Sequence, residues 1–130
     1  MKNAKPILII GEPETGKTYL AKKVAGSYKA VAYVNGWKFD ESSINKSTVT
    51  PDTDLLIIDD VHWVRMPKVM KAIKDGVTVC PKFKDPFRIS PQIIVTSDSS
   101  ILDHKYPESL ADVFSIVKIE TPIFPILQTS

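Results

Sequence analysis

The sequence predicts an α/β protein in which helices flank a parallel five-stranded sheet that carries a short β-hairpin insertion. Short apolar runs rich in β-branched residues recur along the chain, and segments with helical spacing separate most of them. Such alternation is typical of a parallel sheet covered on both faces, whose strands read as continuous apolar runs. The 130 residues are enough for one packed core.

Five apolar runs are predicted to form the sheet. The first ends at a glycine, the second ends at an Asn-Gly pair, and the third and fourth end in polar residues. Residues 6–10 and 54–59 are continuous apolar runs, which indicates strands buried on both faces. In chain order the runs are residues 6–10, 30–34, 54–59, 92–97 and 115–119.

Helices and a hairpin are predicted between these strands. Residues 18–25 contain helix formers and stop at Gly26, and residues 66–75 carry apolar residues at helical spacing after Pro67, which suits a first helical turn. Two short strands, residues 77–79 and 87–89, flank a turn rich in proline and lysine. We further expect a short helix over residues 107–114, and a loop with one short helical piece over residues 35–53.

Composition limits the classes of protein that the chain can belong to. The hydrophobic fraction is 43%, the charged fraction is 25% and the net charge is +2, which is ordinary for a globular protein and permits nucleic-acid binding without requiring it. The single cysteine, Cys80, excludes an intramolecular disulfide and a cysteine-based zinc site. We expect no membrane partner and a location in the cytoplasm, or inside a host cell if the protein is viral. Residues 1–120 are predicted to form the domain and residues 121–130 a C-terminal tail.

Residues 11–18, with the sequence GEPETGKT, match the phosphate-binding P-loop at every required position. The glycines let backbone N–H groups turn toward phosphate oxygens, and the helix that follows adds its partial positive charge. Lys17 is expected to reach the β- and γ-phosphates, and the Thr18 hydroxyl to bind Mg²⁺. ATP and Mg²⁺ are therefore the predicted cofactors of a P-loop NTPase. The predicted nucleotide-binding residues are Gly11, Glu12, Pro13, Glu14, Thr15, Gly16, Lys17, Thr18 and Tyr19.

The two glutamates of the P-loop are unusual, because they place carboxylates in a loop that binds anions. Glu12 and Glu14 either point to solvent or weaken the affinity for nucleotide. The sequence leaves both alternatives open.

Two later strands end in the polar residues that hydrolysis would need. Residues 55–60, LLIIDD, read as a Walker B strand, in which Asp59 holds Mg²⁺ and Asp60 orients or deprotonates the attacking water. Residues 93–98 end in Thr-Ser-Asp, and Asp98 or Ser97 is expected to contact the γ-phosphate or that water. The alternative for this second strand is a polar turn without a catalytic role. The predicted catalytic residues are Lys17, Asp59, Asp60 and Asp98.

The order of these motifs resembles superfamily 3 helicases, the ATPase domains of replication initiator proteins from small DNA viruses and related elements. The resemblance spans residues 7–119 and includes an aromatic segment after the Asp-Asp pair, a hairpin with the sequence VCPK and the Thr-Ser-Asp motif. It implies ATP hydrolysis in a homo-oligomeric ring that moves along single-stranded or forked DNA. It also implies that Lys82 contacts DNA phosphates, with Lys84 as the alternate. The other interpretation of these lysines is a solvated turn.

The sequence departs from this family in three ways. Asp98 stands where the family usually has asparagine, and no arginine follows the third motif in residues 109–114. The chain holds two arginines, Arg65 and Arg88, and it lacks the histidine motif of an initiator nuclease.

Other functions therefore stay open. The main alternative is a nucleotide-binding switch or interaction module with little or no hydrolysis. A small-molecule kinase would need more arginines for its lid. A member of the broader AAA+ group would need a helical lid, for which about ten residues after the last strand are too few.

Overall fold

The computed structural model describes residues 5–12, 16–45 and 47–119. Within them the predicted five-stranded parallel sheet is confirmed, with strand order β2-β3-β6-β1-β7. Its strands are β1 (Ile7–Ile10), β2 (Val31–Asn35), β3 (Leu55–Asp59), β6 (Gln92–Ser97) and β7 (Ser115–Lys118). The antiparallel hairpin consists of β4 (Val77–Val79) and β5 (Phe87–Ile89), and the helices are α1 (Lys17–Ala25), α2 (Glu41–Asn45), α3 (Met66–Asp75) and α4 (Leu110–Val113).

The strand order places the ends of three motif-bearing strands side by side. Strand β6, which ends at the Thr-Ser-Asp motif, lies between β1 and β3. The Gly11 N–H donates to the Ser97 carbonyl at 3.1 Å, and the Val61 N–H donates to the Thr96 carbonyl at 2.8 Å. Because all five strands are parallel, their carboxyl ends share one edge, where open α/β sheets bind ligands.

The sheet separates two hydrophobic layers. On one face α1 packs its buried Ala21 and Ala25 against alternate residues of the central strands. On the other face α3 contributes Met66, Val69 and Met70 to a larger cluster. Continuous apolar strands are explained by this arrangement, since successive side chains enter opposite layers. Buried strand residues of the α1 layer are Ile9, Leu55, Ile57 and Ile94, and those of the α3 layer include Leu8, Leu56, Ile58 and Val95.

A carboxylate ties together the starts of two neighbouring strands. Asp54, which precedes β3, accepts hydrogen bonds from the backbone N–H groups of Lys29 at 3.0 Å and Ala30 at 2.9 Å, just before β2. These two hydrogen bonds favour the ionised form and hold the pKa of Asp54 below its ordinary value.

The hairpin is held against the body by its base. Val77, Val79 and Ile89 are buried, and the Arg88 guanidinium donates to Thr78 Oγ1 at 2.8 Å and to the Asp75 carbonyl at 3.1 Å. Gly76, between α3 and β4, has φ 88° and ψ 158°, a region that is essentially confined to glycine. A Cβ atom there would lie 2.1 Å from Arg88 Nη2.

Two short 3₁₀ helices were not predicted, at Trp63–Arg65 and Ser99–Asp103. The expected helix over residues 107–114 forms only at Leu110–Val113, because the Ser109 hydroxyl accepts the Ala111 N–H and caps a later start. Among the described residues, no helix is long and apolar enough to cross a bilayer.

Candidate functional site

The P-loop leads from the end of β1 into the start of α1. Gly16, with φ 97° and ψ 19°, lies in the left-handed region and accepts the Leu20 N–H at 2.8 Å. Glycine adopts this conformation without the strain that a Cβ atom would add, so the first turn of α1 starts directly after the loop. Pro13, Glu14 and Thr15, which are predicted nucleotide-binding residues, lie outside the described residues.

The Lys17 side chain folds back onto the P-loop. Its ammonium group donates to the Gly11 carbonyl at 2.8 Å and to the Glu12 carbonyl at 3.3 Å. A cation is thereby held between loop carbonyls close to the N-terminus of α1. An anion that reached this position would exchange neutral acceptors for a stronger, charge-assisted hydrogen bond.

Thr18 and Asp59 meet although they are 41 residues apart in the chain. The Thr18 hydroxyl, in the first turn of α1, lies 3.2 Å from Asp59 Oδ1 and 3.5 Å from Oδ2, at the end of β3. A hydroxyl and a carboxylate are the hard oxygen donors that suit Mg²⁺. Across the described residues, no group of three or more His, Cys, Asp or Glu is placed to hold a metal. The donor set therefore fits a cation that takes its remaining oxygens from a bound phosphate and water, as Mg²⁺ commonly does.

Thr96 is a site residue that the sequence analysis missed. It is fully buried near the end of β6, and its hydroxyl donates to Asp59 Oδ1 at 2.7 Å. The Thr96 hydroxyl oxygen also accepts the Asp60 N–H at 2.7 Å. One hydroxyl thus contacts the Asp59 carboxylate and the Asp60 backbone. In the sequence, Thr96 could have been noticed as the first of the three polar residues that follow the apolar run of β6.

Asp60 turns the chain away from the sheet and faces an open cleft. Its φ of 62° lies in the left-handed region, which aspartate adopts more readily than most residues. The cleft has a volume of about 880 Å³. It is lined by Thr18, Lys22, Tyr33, Val34, Asn35, Trp37, Asp59 and Asp60. The cleft therefore joins the oxygen donors to the second acid.

The polar residues that follow β6 are engaged in local hydrogen bonds. Ser97, only 1% exposed, donates its hydroxyl to the Val61 carbonyl at 2.8 Å. The Asp98 carboxylate caps the following 3₁₀ helix by accepting the Ser100 N–H at 3.0 Å. Neither residue lines the cleft, and the γ-phosphate contact expected of Asp98 stays a prediction.

A row of four aromatic rings crosses this edge of the sheet. Trp37, which lines the cleft, packs edge-on against His62 with ring centres 4.6 Å apart. His62 stacks on Trp63 at 5.6 Å, and Trp63 stacks almost parallel on His104 at 3.5 Å. The sequence indicated only the aromatic character of the segment after Asp60. The row connects the cleft with the end of the 3₁₀ helix that follows β6.

The structure brings together only part of the predicted site. Thr18, Asp59 and Asp60 line one cleft, next to which the Lys17 ammonium contacts the Gly11 and Glu12 carbonyls of the P-loop. Lys17 itself does not line the cleft, and neither does Tyr19, which is half-buried on α1. Lys82 and Lys84 are exposed at the tip of the hairpin and do not line it either.

Comparison with protein-family models found no match, and comparison with curated proteins found none. Among solved structures, the crystal structure of NtrX from Brucella abortus in complex with ADP has a similar fold, with a TM-score of 0.58 and 15% sequence identity. The match covers 91% of this chain and 32% of the NtrX chain, so the chain spans about a third of the length of this structural neighbour. At this identity the similarity supports the α/β fold.

Proposed function

We propose that the chain binds ATP with Mg²⁺ at the carboxyl edge of its sheet and hydrolyses the γ-phosphate. The observation that carries the proposal is the contact between the Thr18 hydroxyl and the Asp59 carboxylate, at 3.2 Å, next to the P-loop lysine. A phosphate-binding loop, a cation ligand from the next helix and an acid at the end of a neighbouring strand form a phosphate–magnesium site. The fold that the chain shares with NtrX, which was solved with ADP, supports nucleotide as the ligand.

Each residue has a defined task in this proposal. Lys17 exchanges its contacts with the Gly11 and Glu12 carbonyls for oxygens of the β- and γ-phosphates. Thr18 and Asp59 hold Mg²⁺, which when bound neutralises charge on the phosphates. Asp60, on the cleft, accepts the proton of a water whose oxygen attacks the γ-phosphorus. The bond from the γ-phosphorus to the bridging oxygen breaks, and ADP leaves with that electron pair.

We further propose that hydrolysis drives movement along DNA, as the resemblance to superfamily 3 helicases implies. Lys82 and Lys84, both exposed on the hairpin, would contact phosphates in a manner that weakens with salt. A ring of subunits would bring several such hairpins to one strand.

A specific observation favours the second candidate, a nucleotide-binding switch without efficient hydrolysis. Of the two arginines in the chain, Arg88 donates to Thr78 Oγ1 and the Asp75 carbonyl within the hairpin. An arginine that stabilises the transition state contributes about 10³–10⁵ in rate. If Arg88 keeps its structural contacts, Arg65 is the one arginine of this chain left to stabilise the transition state.

The test measures ATP affinity by calorimetry with Mg²⁺, and turnover with and without single-stranded DNA. Lys17→Ala should lose affinity, whereas Lys23→Ala, which removes an exposed lysine from the same helix, should not. Asp60→Asn should keep affinity and lose about 10²–10⁴ in turnover, because asparagine tolerates the left-handed backbone but cannot accept the proton.

Three outcomes separate the candidates. Absence of ATP binding by the wild type would overturn both. Binding without turnover under every condition, with a monomeric mass in solution, would establish the switch. Turnover together with a ring that forms on adding ATP and Mg²⁺ would establish the motor.

A further inference from the structure

The hairpin tip presents an aromatic ring to solvent. Phe83 is 94% exposed, more than the other large hydrophobic residues described as exposed, which range from 41% to 50%. Its φ is 63°, in the left-handed region that bulky residues rarely adopt. The Phe83 ring belongs to neither hydrophobic cluster, so core packing does not account for its position or for its positive φ. An exposed ring on a strained backbone points to a function outside the fold.

The ring is surrounded by positive charge. Lys82 and Lys84 flank it and are exposed, and the Lys82 ammonium lies 5.4 Å from the centre of the ring. Asp85 is the one acidic residue of the tip, residues 81–86. The tip therefore combines an aromatic face with two cations that suit phosphate.

Hydrogen bonds and a buried residue fix the part of the hairpin next to the tip. The Cys80 N–H donates to Asn45 Oδ1 at 2.8 Å, and Val79 is buried. The Lys84 N–H approaches the Pro81 carbonyl at 3.5 Å and closes the turn. These contacts hold the hairpin while leaving the ring outside.

We propose that Phe83 is a stacking platform for one base of a single-stranded nucleic acid whose phosphates contact Lys82 and Lys84. This inference rests on the nucleic-acid part of the proposed function and identifies what the tip recognises. A base in a single strand exposes its π-face, and aromatic stacking tolerates any sequence. A duplex keeps its bases stacked on each other, so the platform selects single strands.

The surroundings of the ring favour a base over a protein or a membrane. Residues 82–86 are all exposed, and Phe83 is the one large apolar residue among them. A protein interface has a core of several apolar side chains, and stable attachment to a bilayer requires more than one isolated ring. One ring with two cations matches the unit of a single-stranded nucleic acid, one base and its phosphates.

The experiment measures binding of two labelled oligonucleotides of equal length by fluorescence anisotropy, without ATP. One is oligo-dT and the other is an abasic strand with the same phosphates. Phe83→Ala should weaken binding of oligo-dT by about 5- to 150-fold and leave the abasic strand unaffected. Phe83→Trp should retain the affinity of the wild type for oligo-dT. Lys82→Ala should weaken both strands alike and reduce the dependence on salt.

Leu102→Ala removes a different exposed apolar side chain and is the matched control, with an expected affinity equal to that of the wild type. Because Phe83 contributes nothing to the core, the melting temperature of Phe83→Ala should equal that of the wild type, which excludes misfolding. Equal binding of oligo-dT by Phe83→Ala and wild type, or an equal loss for both strands, would overturn the proposal. Binding to anionic vesicles that depends on Phe83, with no effect on oligo-dT, would also overturn it.

The measurement without ATP separates this inference from the proposed ATPase. A wild type that binds oligo-dT through Phe83 but does not bind ATP would refute the ATPase alone. A wild type that turns over ATP but shows no dependence on Phe83 would refute the stacking platform alone.

Discussion

Replacing Thr96 with valine tests the inner hydrogen bonds of the site. Valine keeps the branched shape of this fully buried side chain, so that no cavity is created. The substitution removes the hydrogen bond to the Asp59 carboxylate and leaves the Asp60 N–H without its hydroxyl acceptor. A hydrogen bond to a charged group contributes about 1.5–3 kcal/mol, and a buried donor left unpaired costs about 1–3 kcal/mol. Because the Asp60 backbone is only partly buried, we expect a total loss of about 2–4 kcal/mol in the free energy of unfolding.

The assay is urea denaturation, in which the midpoint falls while the slope is unchanged if the unfolded state is unaffected. Thr96→Ser is the matched control, because it keeps the hydroxyl and loses one methyl, at a cost of about 1 kcal/mol. The valine variant should also bind ATP with Mg²⁺ more weakly, since the Asp59 carboxylate loses the group that orients it. Thr96→Ser should keep the nucleotide affinity of the wild type.

The reasoning is refuted if Thr96→Val is as stable as Thr96→Ser. It is also refuted if the valine variant is destabilised but binds nucleotide with unchanged affinity, because Asp59 would then need no orientation by Thr96.

Two further substitutions test the frame around the site. Asp54→Asn should destabilise the protein at neutral pH, and the difference from wild type should narrow as the pH falls below the ordinary aspartate pKa of 3.8. A lowered pKa in the folded state gives stability that is present above the unfolded pKa and is lost as the pH falls through the folded one. Urea denaturation at a series of acidic pH values checks this prediction. A difference in the free energy of unfolding between wild type and variant that does not change with pH would show that the ionised Asp54 carboxylate is not the source of the stability. Gly76→Ala should lower the free energy of unfolding by at least about 1–3 kcal/mol, because alanine is strained at the positive φ of this position. The control Gly26→Ala, at φ −61°, should change it by less than about 0.5 kcal/mol. Thermal denaturation measures both. Equal effects of the two alanines would contradict the strain argument.

Most of the framework was predictable because its signals are local. The central strands β1, β3 and β6 consist mostly of buried apolar residues, as a sheet covered on both faces requires, whereas the edge strands β2 and β7 are partly exposed. The helix over residues 66–75 and the hairpin strands were predicted with the observed bounds, since proline, glycine and helical spacing coincide there. The convergence of Thr18 and Asp59 was likewise predictable, because a P-loop and a Walker B strand meet at one sheet edge.

The remaining features depend on contacts between distant residues or on caps that compete with simple patterns. Thr96 acquires its role from the register of β6 beside β3, which periodicity does not determine. The two 3₁₀ helices begin where His62 and Asp98 accept backbone N–H groups two residues ahead. Such short turns carry too few residues for a periodic signal.

Of the two P-loop glutamates, Glu12 lies within the described residues, and its carboxylate has a hydrogen-bond partner. The Glu12 carboxylate accepts the Ser99 hydroxyl, from the same 3₁₀ turn whose start Asp98 caps through the Ser100 N–H. Glu12 and Asp98 thus both accept hydrogen bonds from donors of this one turn. Glu12 is therefore better described as a link between the P-loop and the turn after β6 than as a carboxylate that only points to solvent.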